Sequence, residues 1–206
     1  MEAVKAGPIE WAVAERVRPG QTESGDQSLA MAIPGGALVG VIDGLGHGAE
    51  AADAAKTAVR SLERHAQEPI IPLIRDCHRS LFGSRGAVIS VASFSAADET
   101  MTWLGVGNVE GLLLRAQTTT TPGRELLLLR GGVVGVHLPA LAAAIVPIMR
   151  GDTLVFATDG VRSDFLHELL PHRDPPQALA DRILARFGQV TDDALVLVAR
   201  YLGPWP

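Results

Sequence analysis

The chain has 206 residues, 47% of them hydrophobic, which is enough to bury one sizeable core, and no low-complexity tract divides it, so one domain over residues 1–206 is expected. A formal net charge of −5 leaves no broad basic face and argues against a nucleic-acid partner. Cys77 is the only cysteine, which excludes an internal disulfide framework and a multi-cysteine zinc site, and no apolar run approaches the ~18 residues of a membrane span; the expectation is a cytoplasmic protein with no membrane partner.

Residues 9–17, IEWAVAERV, alternate as a strand does, and the polar RPGQTESGD that follows is a loop ending at Asp26. SLAMAIPGGALVGVID reads as two strands around the turn Pro34-Gly35-Gly36, the second delivering Asp43 to its end. From Ala49 to about His65, Ala51, Ala55, Ala58, Val59 and Leu62 fall at helical spacing. A second helical pattern, Ile70, Leu73, Ile74, Cys77 and Leu81, has Pro69 and Pro72 near its first turn and ends by Gly83. Cys77 thereby reads as a small core residue rather than a nucleophile.

The period then changes to short strand-type runs, GAVISVASF, ETMTWLGVGN, VEGLLLRAQ and RELLLLRG, whose close spacing implies antiparallel pairing. Thr118 to Thr121, with Pro122-Gly123 behind them, read as an exposed hairpin connection. GDTLVFATDG, residues 151–160, is a strand between two acidic turns. Helical patterns follow over 162–170 and 175–187, the latter opened by Asp174 as N-cap and Pro175 in the first turn, and DALVLVARYL is the last strand. Segregated helices and antiparallel strands predict an α+β fold, a four-layer sandwich of two mostly antiparallel sheets flanked by helix pairs.

Asp26 stands beside a strand start, Asp43 and Asp159 at strand ends, and Asp192 just before the final strand. Carboxylates at the ends of different strands can converge, and converging carboxylates suit hard cations such as Mg²⁺ or Mn²⁺. The opposing reading is that each aspartate only makes a turn, since Asp-Gly is a common turn signal. VIDGLGHG, LVFATDG and TDDALVLV all couple an apolar strand to an acidic tip, which turns alone explain less easily. Gly44 and Gly160, after two of the aspartates, would let the backbone approach an ion.

The series SGD (24–26), VIDGLGHG (41–48), SRGAVISV (84–91), GVGN (105–108), GVVGV (132–136), GDTLVFATDG (151–160) and TDDALVLV (191–198) resembles the metal-dependent protein phosphatases of the type 2C (PPM) class. Within that class it is most similar to the compact bacterial branch of SpoIIE, RsbU and RsbX, with motifs in family order over about residues 9–200. The resemblance implies an α/β-β/α sandwich with two Mn²⁺ or Mg²⁺ ions at one end. Asp43 would bridge them, Gly44 would offer its carbonyl, and Asp26 would hold ligands or ordered water. Asp159 and Asp192 would complete one metal's shell, with Asp193 the second choice beside Asp192. It also implies hydrolysis of phosphoserine or phosphothreonine by a metal-activated water, on STAS-domain stressosome scaffold or anti-sigma-factor antagonist proteins.

His47 is a candidate general acid for the leaving oxygen, or a loop residue only; larger relatives place a histidine directly after the DG pair, whereas two residues intervene here. Arg16, Arg18 and Arg85 are candidates for phosphate contact by charge alone, and Asn108 is expected to fix a turn. His65, His78, His137, His167 and His172 show no paired ligand spacing. Two other classes remain open. Gly44-x-Gly46-x-x-Ala49, with Glu63 about 20 residues on, fits a dinucleotide fingerprint. A phosphatase-like binding module without turnover is the other, although all four carboxylates are present.

Overall fold

A computed structural model describes residues 4–117, 123–171 and 173–204. The expected connection at Thr118–Thr121, Pro122 and His172 lie outside the described residues. The chain opens with strands β1 (Val4–Ala6), β2 (Ile9–Arg16), β3 (Asp26–Ile33) and β4 (Gly36–Gly44), then helices α1 (Ala49–Arg64) and α2 (Ile70–Ser80). Next come β5 (Ala87–Ser95), β6 (Thr100–Val106), β7 (Glu110–Leu114), β8 (Arg124–Leu126), β9 (Leu129–Arg130), β10 (Ala144–Pro147) and β11 (Thr153–Ala157). A 3-10 turn at Ser163–His167, helix α3 (Pro176–Phe187) and strand β12 (Ala194–Tyr201) complete it.

The strands form two sheets, one ordered β1-β2-β12-β11-β7-β8 and the other β10-β6-β5-β4-β3 with β9 against β6. Every pairing is antiparallel except β6 with β9. Three apolar layers separate four structural ones. Val39, Val41 and Phe94 meet Phe156, Leu197 and Tyr201 between the sheets. Ala55, Leu62, Leu73 and Cys77 pack α1 and α2 on the outer face of the second sheet. Leu179, Ile183 and Phe187 pack α3 on the first, beside Phe165 of the 3-10 turn. The alternation that predicted the strands is thus the alternation between an inner and an outer layer, both buried, which is why β4 and β12 read as continuous apolar runs.

The four-layer α+β sandwich agrees with the sequence expectation, and four details differ. The helix expected over 162–170 is only the 3-10 turn at Ser163–His167, which buries Phe165 and Leu166, while Leu170 reaches the same core from extended chain before Pro171. At α3, Pro175 occupies the cap position with Pro176 behind it, while Asp174 pairs with Arg182 at 2.8 Å instead of capping. RELLLLRG is split between sheets: β8 pairs with β7 in one and β9 with β6 in the other, with Leu127 turned into the core between them. β1 and β10 were not anticipated; both are short outer strands whose residues are largely exposed.

Candidate metal centre

Strand register builds the centre. Asp26, the first residue of β3, is the direct cross-strand partner of Asp43 near the end of β4. Asp159 lies two residues beyond β11 and Asp192 two residues before β12, in the other sheet. All four, with Asp193, line one cleft of about 620 Å³ at the end of the sandwich, so the structure brings together every carboxylate singled out from the sequence. Leu45, His47, Val88 and Asn108 complete much of its wall.

Two glycines make this convergence possible by close packing. A Cβ on Gly44 would lie 2.1 Å from the carbonyl oxygen of Ala51, so the residue after Asp43 must be glycine for α1 to start where it does. The observed close approach at Gly44 is toward α1. A Cβ on Gly160 would lie 1.8 Å from the Asp193 carbonyl oxygen, so glycine there lets the turn after β11 touch the approach to β12. Gly44 also donates its N–H to the carbonyl of Gly25 at 3.0 Å, tying the Asp26 loop to the end of β4.

The adjacent aspartates have different surroundings. Asp193 is buried, and its two oxygens accept the N–H groups of Arg18 at 2.7 Å and Gly25 at 2.8 Å. It clamps the loop leading to Asp26. Asp192 is half-buried and accepts the N–H of Asp193 at 3.0 Å. Asp159 is exposed and held from two sides: Asn108 Nδ2 donates to its carboxylate and Gln189 Nε2 to its carbonyl, each at 2.9 Å. Asn108 was expected only to fix a turn; its contact with Asp159 crosses from one strand end to another and left no local signal in the sequence.

Asp26 is 2% exposed and links the two sheets. Thr158 Oγ1 donates to its carboxylate at 2.7 Å while accepting the N–H of Leu195 at 2.9 Å. Burial pushes the Asp26 carboxyl up to about 7, the Thr158 bond working against this and repulsion from Asp193, Asp159 and Asp192 adding to it. Asp43 is pushed to about 8 by burial, then by repulsion from Asp26, Asp159, Asp192 and Asp193, with no hydrogen bond among the described residues to oppose the rise. Carboxylates that raise one another in this way favour a cation among them, and Arg18 is the only lysine or arginine among the described residues lining the cleft. An all-oxygen donor set of this charge fits hard divalent ions.

Arg18 has its guanidinium unpaired among the described residues. Arg16 instead grips the Gln189 carbonyl at 2.7 Å, and Arg85 pairs with Glu50 at 2.5 Å. His47 is exposed on the loop between β4 and α1 and lines the cleft. Of the remaining histidines, His78 Nδ1 accepts the N–H of Gly135 at 2.8 Å. His65 Nδ1 lies 3.0 Å from Glu68 and 3.6 Å from Asp76, a cluster that the sequence reading missed. Arg79 also pairs with Asp76 there. Cys77 is fully buried and its thiol is pushed up to about 12 by that burial, as suits a core residue. The dinucleotide reading fails on topology, because β4 leads through α1 directly into α2 and then to β5, which pairs antiparallel with β4.

A family model for stage II sporulation protein E (SpoIIE) matches residues 34–202. Among solved structures, the chain is 29% identical to a protein of the bacterial stressosome, described as a modular system adapted to control secondary messenger signalling; the match covers 93% of this chain and 99% of that one, with a TM-score of 0.83. RsbX in complex with magnesium is 19% identical over 97% of this chain and 98% of its own, with a TM-score of 0.84. The PP2C phosphatase domain of SpoIIE from Bacillus subtilis, with a fragment of its regulatory domain, is 19% identical at a TM-score of 0.80, covering 96% of this chain and 64% of that one. The latter two share the fold. No curated protein sequence matches the chain at a significant level.

Proposed function

Because the chain belongs to the SpoIIE family of metal-dependent protein phosphatases, we propose that it hydrolyses phosphoserine or phosphothreonine on a STAS-domain protein, a stressosome scaffold or an anti-sigma-factor antagonist, using two Mn²⁺ or Mg²⁺ ions. The observation that carries the reading is the single cleft in which Asp26, Asp43, Asp159 and Asp192 converge from both sheets. The substrate class is supported by similarity to a stressosome protein at 29% identity.

When bound, the cations supply charge neutralisation for a phosphoryl group and lower the pKa of water beside it. Asp43 would serve both ions, Asp26, Asp159 and Asp192 would supply the remaining carboxylates, and Gly44 would offer its carbonyl. Asp193 is assigned instead to the loop, since both its oxygens are already engaged by backbone N–H groups. The unpaired Arg18 guanidinium is the cation available to orient the phosphoryl oxygens. In the net reaction an oxygen of water joins phosphorus, the bond to the seryl or threonyl oxygen breaks, and that oxygen takes up a proton. We assign delivery of the proton to His47, whose exposed loop lines the cleft.

The decisive experiment is hydrolysis of a phosphorylated STAS protein with Mn²⁺ and then with chelator, comparing wild type with Asp43→Asn and Asp159→Asn. Turnover should require metal and fall about a hundredfold or more in each variant, consistent with losing several kcal/mol of charge stabilisation. Metal-independent turnover, or full activity in both variants, would sink the mechanism. Tight binding of the phosphoprotein without turnover would establish the binding-module alternative.

A further inference from the structure

We propose that a groove between β2 and α3 docks an extended, basic segment of the phosphoprotein substrate as an added β-strand. This inference rests on the phosphatase reading and extends it to substrate recognition.

Among the described residues β1 covers only Ile9–Trp11 of β2. The rest of β2, Ala12–Arg16, pairs with β12 on one side and, among the described residues, with no strand on the other. Along that open edge runs a groove of about 440 Å³, bounded by β2 from Trp11 to Glu15, by Ser28 of β3, and by Gln177, Asp181 and Leu184, one stripe of α3. A strand edge facing a helix is the arrangement in which extended peptides are taken up by β-addition, with main-chain hydrogen bonds giving affinity and side-chain pockets giving selectivity.

The polar groups of the groove are incompletely satisfied. Gln177 Nε2 donates to the Val13 carbonyl at 3.1 Å, so a side chain makes one bond that a neighbouring strand would otherwise make. The same amide donates to Asp181 at 2.9 Å. Gln177 Oε1 and Trp11 Nε1 are both buried without a partner among the described residues, leaving one acceptor and one donor in the same groove. A peptide group offers the complementary donor and acceptor, and leaving such buried groups unmatched costs roughly 1–3 kcal/mol each.

Charge selects the occupant. Glu15 and Asp181 are exposed on the groove's walls, and neither has a cationic partner among the described residues, so lysine or arginine in the docked segment would be favoured. Direction follows from the chain itself: β2 leads to Arg18, which lines the metal cleft. The five open residues of β2 span roughly 17 Å, so a segment flanking the phosphosite by that length reaches both places.

The test uses the full chain with Mn²⁺ and three substrates: an aryl phosphate, a short phosphoserine peptide, and that peptide extended by a Lys/Arg-containing segment of about eight residues, long enough to span the groove. The extended peptide should have the lower KM, and Glu15→Lys with Asp181→Lys together should raise its KM about tenfold while kcat and both other substrates are unaffected. Hydrogen exchange at the Val13 and Glu15 amides should slow when the extended peptide binds. Equal KM for both peptides with no such protection overturns the proposal. So does protection without peptide that vanishes in a chain beginning at residue 4, which would give the edge to the chain's own amino terminus. If the wild type turns over not even the aryl phosphate, the phosphatase reading fails, and exchange protection by the peptide still decides the groove.

Discussion

Asp192 and Asp193 are indistinguishable in a string of letters, and sequence reasoning left both as ligand candidates. The surroundings separate them, because Asp193 spends both oxygens on the N–H groups of Arg18 and Gly25 whereas Asp192 faces the cleft with an oxygen to spare. Asp193→Ala strands two backbone donors in a buried place and should cost about 3 kcal/mol. In thermal unfolding with chelator that is a loss of roughly 10 °C for a chain of this size. Asp192→Ala should unfold near the wild-type temperature in chelator yet lose Mn²⁺ affinity by calorimetric titration. Equal thermal losses would refute the division of labour. Asn108 shows the same limit of sequence reading, since its bond to Asp159 joins residues 51 apart.

At the scale of elements, the strands and helices legible in the sequence were those with a clear apolar period. α1 and α2 have it, and their observed spans, Ala49–Arg64 and Ile70–Ser80, fall within the predicted ones. The run RELLLLRG was legible as strand but not as two strands, because four successive leucines carry no alternation to show which faces which layer. The junction of β4 and α1 turns on Gly44, where a methyl group would meet Ala51 carbonyl oxygen at 2.1 Å. Gly44→Ala should therefore displace the start of α1 and destabilise the fold by about 1–3 kcal/mol. Chemical denaturation would register it as a lower midpoint, and an unchanged midpoint would mean that α1 shifts freely.

For the molecule as a whole, the clustered carboxylates set a pH dependence whose sign depends on metal. In the metal-free protein Asp26 and Asp43 titrate at about 7 and about 8, against 3.8 ordinarily, so the folded state holds protons that the unfolded state has released. Stability from these groups is therefore greatest near pH 4 and is lost as pH rises through about 8. With chelator, the unfolding temperature should be lower at pH 8 than at pH 5; with Mn²⁺, which binds only the deprotonated set, the order should reverse. The same order in both conditions would argue against this cleft as the metal centre.

Thr158 holds Asp26 across the seam between the sheets with one 2.7 Å bond. Hydrogen bonds weaken steeply with stretching, so that contact acts as a gauge of sheet separation. At the far end of β12, Tyr201 stacks on Phe94 from the opposite sheet at 6.3 Å between ring centres. The rings act as a spacer, and the carboxylates proposed as ligands stand on two separately supported plates. On the proposed assignment cation affinity becomes a property of core thickness: side chains that never approach an ion would tune it by moving the plates apart or together.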